Sequence, residues 1–301
     1  MARGWLQVAE AGSVLGLRIV LLTSRLLGRR GARALLLPVV LYFALLRRGA
    51  RKASRAYLQR VGQRHDYWAV YRHLLRFAQC ALDRLFLLQG RTELFEVSST
   101  GTEHLRSLRD QKQGAVLLGA HLGSFDAMRA RGDSFDYPIN IVGYFRHAAK
   151  INGVLERAGC NPRARLVEVE PGSVNFVLGL RELVERGEMV ALLADRVVSG
   201  STVEVAFLGG KAHFPTGPFI LASMLRCPVL LTFGLHRPPN RYDMYCEPFA
   251  TCIQLPRDER AASLQAHVQR FADRLAHYCQ LAPDNWFNFY DFWSDRDATQ
   301  A

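Results

Sequence analysis

Beyond residue 100, short apolar runs alternate with segments whose apolar residues recur at helical spacing. The apolar runs cover residues 115–118, 139–145, 166–169, 189–193 and 229–233. The helical segments between them cover residues 103–109, 148–158, 173–186 and 217–225. Short apolar runs are typical of buried strands, and strands that alternate with helices indicate a parallel sheet. The pattern therefore predicts an α/β fold with a mainly parallel central sheet flanked by helices.

Four further segments complete this prediction. Residues 67–89 and 259–281 carry apolar side chains at helical spacing, which predicts a long amphipathic helix and a C-terminal helix. Residues 242–246 are interpreted as an added strand. Residues 195–218 are rich in Gly, Ser and Thr and have no clear period, so we interpret them as a functional loop.

The first 64 residues differ from the rest of the chain in charge and hydropathy. They contain 13 Lys or Arg residues and one acidic residue, Glu10, and they account for the whole net charge of +12. Residues 14–27 and 34–46 are apolar runs with arginines within or beside them. Each run is shorter than the roughly 20 apolar residues that a spanning helix needs.

Apolar runs beside arginines favour a helical segment that lies in the interface of an anionic membrane surface. We therefore divide the chain into a basic, apolar, membrane-associating segment, residues 1–64, and one folded domain, residues 65–301. Positive charge of this kind marks the cytoplasmic side of a membrane. The alternative is a core helix followed by a solvated basic helix. No nucleic-acid partner is expected, because the aromatic residues are not interleaved with the charges.

The six cysteines argue against disulfide and zinc chemistry. None forms a Cys-x-x-Cys pair, and no His and Cys residues have the spacing of a zinc site. Several lie in apolar runs, as Cys227 does, so we interpret them as buried thiols in a reducing compartment. The sequence also lacks Gly-x-Ser-x-Gly, His-Glu-x-x-His, Walker and Gly-x-Gly-x-x-Gly motifs. We therefore expect no metal and no tightly bound cofactor.

The strongest candidate chemistry lies in the stretch GAVLLGAHLGSFDAMR. The predicted strand leads into Gly119, so His121 would follow its carboxyl end, where open α/β sheets place their sites. Gly123 and Ser124 would begin the next helix, with Asp126 in its first turn. A neutral imidazole accepts the proton of an attacking hydroxyl, and a carboxylate on its other nitrogen fixes the tautomer. The spacing alone is equally compatible with a purely structural role, in which His121 lies beside an aspartate, Asp126, that caps the helix.

Three stretches resemble a known family. GAHLGSFD resembles the His-x4-Asp block of the lysophospholipid acyltransferase superfamily, and more specifically that of the bacterial lipid A late acyltransferases. NIVGYFRHAAKINGVLERAG is similar to the family's Tyr-Arg segment before an Asn-containing helix. The stretch from VERGEMVALLADR to ASMLRCPVLLTF is similar to its second half, so the resemblance covers about residues 30–290.

The resemblance implies roles for individual residues. His121 would be the general base, Asp126 its partner, and Arg146 the residue that binds the acceptor's phosphate or sugar. Asp195 matches the family's second acidic block; alternatively, it only braces Arg146 or a loop. A surface or ion-pair arginine is the alternative for Arg146. Thr216, Gly217 and Pro218 match the helix entry of the family's final block, and turn formation is the alternative role for Gly217 and Pro218.

The sequence departs from the family pattern at two places. Arg196 follows Asp195 where the family has a neutral or His-like residue, and it is a candidate contact for an anionic substrate. A solvated surface charge is the alternative for Arg196. The ending PDNWFNFYDFWSDRD keeps the family's Pro and Trp but is acidic where lipid A enzymes usually carry basic residues. Both departures leave open an acceptor other than lipid A.

These features predict a membrane-associated O-acyltransferase on the cytoplasmic face of a bacterial inner membrane. It would move an acyl chain from acyl carrier protein or CoA to a hydroxyl of a lipid or glycolipid acceptor. His121 and Asp126 would carry the reaction within an acyltransferase domain that spans residues 65–301. The alternatives are the same chemistry on a polyene, an ornithine lipid or a glycerolipid, and a catalytically inactive membrane-bound scaffold.

Overall fold

A seven-stranded, mainly parallel sheet flanked by helices forms the centre of the molecule, which confirms the predicted α/β class. The computed structural model describes residues 14–128, 138–144, 165–170, 172–197 and 200–293. The helix expected over residues 148–158 lies outside the described residues.

The described chain is helical from residue 14 to residue 88 apart from short connections, and strands and helices both occur beyond that point. The α-helices with both ends among the described residues are α1 (Val14–Leu46), α2 (Arg48–Arg60), α3 (Tyr67–Leu88), α4 (Thr102–Asp110), α5 (Val174–Glu185), α6 (Gly217–Leu225) and α7 (Arg260–Leu281). The strands are β1 (Glu96–Thr100), β2 (Ala115–Gly119), β3 (Ile139–Gly143), β4 (Arg165–Glu168), β5 (Met189–Leu193), β6 (Thr202–Phe207), β7 (Gly210–Pro215), β8 (Val229–Arg237) and β9 (Arg241–Ala250).

The strand order of the main sheet brings the ends of β2 and β5 together. The order is β1-β9-β8-β2-β5-β3-β4, and every neighbouring pair is parallel except β8 and β9. All five residues of β2 are buried, as in a strand that is covered on both faces. Gly119 at the end of β2 is in register with Leu193 at the end of β5. The residues just beyond these two strands therefore meet at the carboxyl edge of the sheet.

The interpretation of residues 195–218 as a loop is wrong. This region contains β6 and β7, which form a separate two-stranded antiparallel hairpin. The hairpin packs against α7, where the amide of Gln269 donates to the Ala206 carbonyl and accepts from the Ala206 N–H, each at 2.9 Å. The side chain of Gln269 thus satisfies backbone hydrogen-bonding groups at the edge of β6, and a local sequence pattern cannot show such a distant contact.

The two N-terminal apolar runs form one helix, α1, which kinks at Gly28, where φ is 65°. Glycine adopts this positive φ without the steric cost that other residues have. Just beyond the kink, Arg29 binds the fully buried carboxylate of Asp83 in α3 through two hydrogen bonds of 2.7 and 2.8 Å. Ala32, Leu36 and Val40 continue this contact in an apolar cluster shared with α3. Within the described ranges, no helix has both the length and the apolarity needed to cross a membrane.

Candidate active site

His121 and Asp195 form a pair in the two turns that follow β2 and β5. The imidazole Nδ1 of His121 lies 2.7 Å from Oδ1 of Asp195, and the His121 backbone N–H donates to Oδ2 at 2.9 Å. Asp195 is fully buried, whereas the His121 side chain is 26% exposed. Because Nδ1 is held by the carboxylate, Nε2 is the ring nitrogen left to meet a substrate.

The turn after His121 requires glycine. Gly123 has a φ of 70°, and a Cβ atom there would lie 1.9 Å from the Gly234 carbonyl oxygen in β8. Ser124 donates its N–H to the same oxygen at 2.7 Å. Its Oγ accepts from Ala127 N–H at 3.1 Å and so caps the helix that begins at Phe125. Ser124 therefore starts the helix as the sequence predicts, and the turn is tied to β8.

Asp126 lies in the first turn of this helix, but it does not contact His121. Its Oδ2 is 3.3 Å from Nε of Arg84 in α3. Both His121 and Asp126 are described, and no hydrogen bond or ion pair joins them. The carboxylate expected on the imidazole comes instead from Asp195, because the sheet places β5 beside β2 whereas the helix directs Asp126 towards α3.

Three donors meet on one oxygen of Asp195. Besides the His121 N–H, Oδ2 accepts from the Trp286 indole N–H at 3.0 Å and from the Asn288 amide at 2.9 Å. Trp286 and Asn288 are both buried, and both belong to the segment that follows α7. With Oδ2 occupied in this way, Oδ1 is the oxygen that remains for the His121 ring.

Burial and charge favour a neutral imidazole beside an ionised carboxylate. Burial lowers the pKa of His121, the positive charge of Arg196 lowers it further, and Asp195 acts in the opposite direction. Burial by itself would raise the pKa of Asp195, but the contacts with His121 and the charge of Arg196 lower it to about 2. The imidazole therefore donates Nδ1–H to the carboxylate and keeps a lone pair on Nε2, which is the state that a general base needs.

Arg196 is held at the site by the same segment after α7, which we call the C-terminal segment (residues 286–288). Its Nε donates to Oδ1 of Asn288 at 2.6 Å, and its Nη2 donates to the Phe287 carbonyl at 2.9 Å. The Phe287 N–H in turn donates to the His121 carbonyl at 2.8 Å. Residues 286–288 therefore bind His121, Asp195 and Arg196 together.

The C-terminal segment is held from behind by a buried histidine. Nε2 of His73 in α3 lies 2.9 Å from the Trp286 carbonyl oxygen, and its Nδ1 lies 2.9 Å from Oγ of Ser54 in α2. Burial lowers the pKa of His73 to about 4, so this ring is neutral at physiological pH. A neutral ring donates to the carbonyl and accepts from the hydroxyl, which connects α2 and α3 to the wall of the site.

Among the described residues, no hydrogen bond joins Thr216 or Gly217 to His121 or Asp195. Thr216 is buried, and its Oγ1 donates to the Ser201 carbonyl at 2.9 Å, where it closes the base of the hairpin. Gly217 is exposed at the start of α6. Arg146 lies outside the described residues. Of the expected set, the structure therefore brings together His121, Asp195 and Arg196.

Trp286 and Asn288 bind Asp195 but were not among the site residues predicted from the sequence. Their signal is the run NWFNF, in which buried asparagines sit among aromatic residues. A buried amide needs hydrogen-bond partners, so asparagine in such a run indicates a polar contact inside the fold. In the part of the chain that the structure describes, no cluster of three His, Cys, Asp or Glu side chains is arranged to hold a metal ion.

Comparison with known proteins agrees with the resemblance seen in the sequence. A family model described as bacterial lipid A biosynthesis acyltransferase matches residues 87–294. The match covers more than half of the chain and includes His121, Asp195 and Asn288. A search of curated proteins gave no match.

Proposed function

Because the chain belongs to the bacterial lipid A biosynthesis acyltransferase family, we propose that it acylates a lipid hydroxyl with His121 as the general base. The observation that carries this proposal is the 2.7 Å contact between His121 Nδ1 and the buried Asp195 carboxylate. A scaffold without activity has no need for a neutral imidazole held in one tautomer beside an ionised carboxylate. The assembled pair therefore favours an enzyme.

The proposed reaction has two steps at one histidine. The acceptor hydroxyl gives its proton to Nε2 of His121 while its oxygen attacks the carbonyl carbon of the acyl thioester. Asp195 stabilises the imidazolium that forms, because Oδ1 holds the Nδ1–H. The tetrahedral intermediate then collapses, the carbon–sulfur bond breaks, and the leaving thiolate takes the proton from Nε2. The imidazole returns to its neutral state.

Asp126 and the other expected residues have supporting roles in this proposal. Asp126 fixes the helix after the catalytic turn through its ion pair with Arg84. By resemblance, Arg146 binds the anionic part of the acceptor. Arg196, Thr216 and Gly217 remain predicted substrate-binding residues.

We propose that the acyl donor is carried by acyl carrier protein, with CoA as the second candidate. Helix α2 has five Lys or Arg residues and no acidic residue. Its buried side packs towards the site, since the ring of Tyr57 lies 5.0 Å from that of Trp286. An acidic carrier protein would be steered to such a surface.

We propose that α1 associates with the cytoplasmic face of a bacterial inner membrane, as the anchoring part of residues 1–64. Large apolar side chains are exposed on α1, and they are Ile19, Leu22, Leu26, Leu27, Leu37, Val39, Leu41, Tyr42, Leu45 and Leu46. Arginines lie within and beyond this exposed set, as in helices that lie in a membrane interface. The acyltransferase domain, residues 65–301, would then meet its lipid acceptor at the bilayer surface.

The test uses the full chain with radiolabelled dodecanoyl acyl carrier protein and a total lipid extract of the bacterial membrane. We expect wild type to transfer label to a lipid, and His121→Ala to lose more than about 99% of that transfer. Equal labelling by the two proteins would overturn the proposal. Mass spectrometry of the labelled lipid identifies the acceptor hydroxyl.

A further inference from the structure

Asn288 lies between two charged side chains that are neighbours in the sequence. Asp195 and Arg196 are adjacent and attract each other, but the hydrogen bonds of the Arg196 guanidinium run to Asn288 and the Phe287 carbonyl, not to Asp195. Oδ1 of Asn288 accepts from Arg196 at 2.6 Å, and Nδ2 of Asn288 donates to Asp195 at 2.9 Å. A carboxamide suits this position because it presents an acceptor on one side and a donor on the other.

A direct contact between Arg196 and Asp195 would compete with His121. A guanidinium forms two parallel hydrogen bonds with a carboxylate, and this would occupy both carboxylate oxygens. Oδ1 would then be lost to the imidazole, and the negative charge that stabilises the imidazolium would be neutralised. The attraction is strong here because Asp195 is fully buried and solvent screens it little.

We propose that Asn288 is a positioning residue that keeps Arg196 away from Asp195 and so reserves the carboxylate for His121. The inference rests on the proposed function of His121 as the general base. Asn288 is 2% exposed, so it acts through its neighbours and does not touch the substrate. The second amide contact, to Arg196, distinguishes Asn288 from Trp286, which donates to the same carboxylate oxygen without binding Arg196.

The test is a double-mutant cycle on the full chain. The four proteins are wild type, Asn288→Ala, Arg196→Gln and the double variant, and the assay is hydrolysis of dodecanoyl acyl carrier protein with water in place of the acceptor. We expect Asn288→Ala to lower kcat about tenfold to a hundredfold in the wild-type background, and by less than about threefold when Arg196 is already glutamine. KM changes little, because the residue does not contact the donor. An equal loss in both backgrounds would overturn the inference.

The pH profile separates this role from a merely structural one. In Asn288→Ala, Arg196 reaches Asp195 and weakens the charge that raises the pKa of His121, so the acidic limb of kcat moves to lower pH. In the double variant with Arg196→Gln, no guanidinium is left to reach Asp195, so the loss of Asn288 no longer moves the limb. An unmoved limb in Asn288→Ala contradicts the inference. If Asn288→Ala unfolds, Asn288→Ser takes its place, because its side chain is too short to bind both Arg196 and Asp195.

Two control variants complete the experiment. Trp286→Phe removes one donor from the same oxygen without touching Arg196, so its effect on kcat should be equal in both backgrounds. His121→Ala separates the inference from the proposed function. If His121→Ala hydrolyses the donor as fast as wild type, His121 is not the general base. If His121→Ala is inactive but the effects of Asn288→Ala and Arg196→Gln on kcat are additive, only the role of Asn288 is refuted.

Discussion

Asp195 binds His121 twice, through the ring Nδ1 at 2.7 Å and through the backbone N–H at 2.9 Å. One contact sets the tautomer and rotation of the imidazole, and the other fixes the main chain that carries it. The two residues are 74 positions apart in the sequence, and the parallel pairing of β2 with β5 brings them together. A change at Asp195 should therefore affect both the basicity and the position of His121.

Replacement of Asp195 by asparagine tests this coupling. Asp195→Asn keeps the size of the side chain but removes the charge that raises the pKa of His121. The acidic limb of the rate profile should move to lower pH, and kcat should fall about a thousandfold or more, because the tautomer is no longer fixed. The measurement is kcat across the acidic and neutral pH range, with unfolding followed in parallel. A loss of less than about tenfold would argue against Asp195 as the partner.

Asp126 should behave differently from Asp195. Its ion pair with Arg84 is partly exposed, so we expect Asp126→Asn to cost less than about 1 kcal/mol of stability. We also expect it to keep more than about a tenth of the wild-type kcat, with an unmoved acidic limb. Arg84→Gln is the matched control and should give the same small effect. A collapse of kcat in Asp126→Asn alone would restore Asp126 as the catalytic carboxylate.

The glycine in the catalytic turn should be irreplaceable. Gly123→Ala places a Cβ 1.9 Å from a backbone oxygen of β8, so we expect both stability and activity to be lost. Gly209→Ala is the control, because its φ of 73° is also positive but its Cβ would meet open space. We expect the control to cost only the backbone strain of about 1–2 kcal/mol. Thermal unfolding and kcat of both variants check the contrast, and equal effects would contradict it.

The buried ion pair between α1 and α3 should contribute strongly to stability. Asp83→Asn leaves the mostly buried Arg29 without its counter-charge, and the loss of one partner of such a pair typically costs about 3–5 kcal/mol. Urea unfolding of the full chain measures this change. Glu185→Gln in the exposed pair with Arg181 is the control and should leave the midpoint unchanged. A midpoint in Asp83→Asn equal to that of the control would show that α1 is not held by this pair.

Membrane binding should depend on the exposed leucines of α1. The double change Leu41→Asp and Leu45→Asp removes apolar area worth about 1.5–3 kcal/mol per leucine, so vesicle binding should weaken at least about a hundredfold. Flotation with phosphatidylglycerol and phosphatidylethanolamine vesicles measures it. The control changes Val174 and Leu178 of α5, an exposed apolar pair with the same spacing. If the α1 variant floats as well as the control, the anchor lies elsewhere.

The strands that the sequence predicts best are those buried on both faces. Residues 115–118 and 189–193 read as continuous apolar runs because helices and loops cover both sides of the sheet. The β6–β7 hairpin was not predicted, because a backbone group at its edge is paired with the side chain of Gln269, which is distant in the sequence. β1 was not predicted either, because it is an edge strand without a buried residue and so has no apolar run.

The site was predictable only in part, for a related reason. The position of His121 follows from one local motif at a strand end. Its partner depends on which strand lies beside β2, and sequence spacing does not encode that order. The spacing to Asp126 suggested a contact that the helix geometry prevents. Asn288 is further still from the motif, and only the folded C-terminal segment brings it to Asp195.

The late position of residues 286–288 in the chain also sets an order of events during synthesis. A ribosome completes β2 and β5 well before it reaches Trp286 and Asn288, so in the nascent chain Asp195 at first lacks two of its donors. A nascent chain that has not reached residue 286 therefore holds the Asp195 carboxylate with fewer hydrogen bonds than the folded protein does.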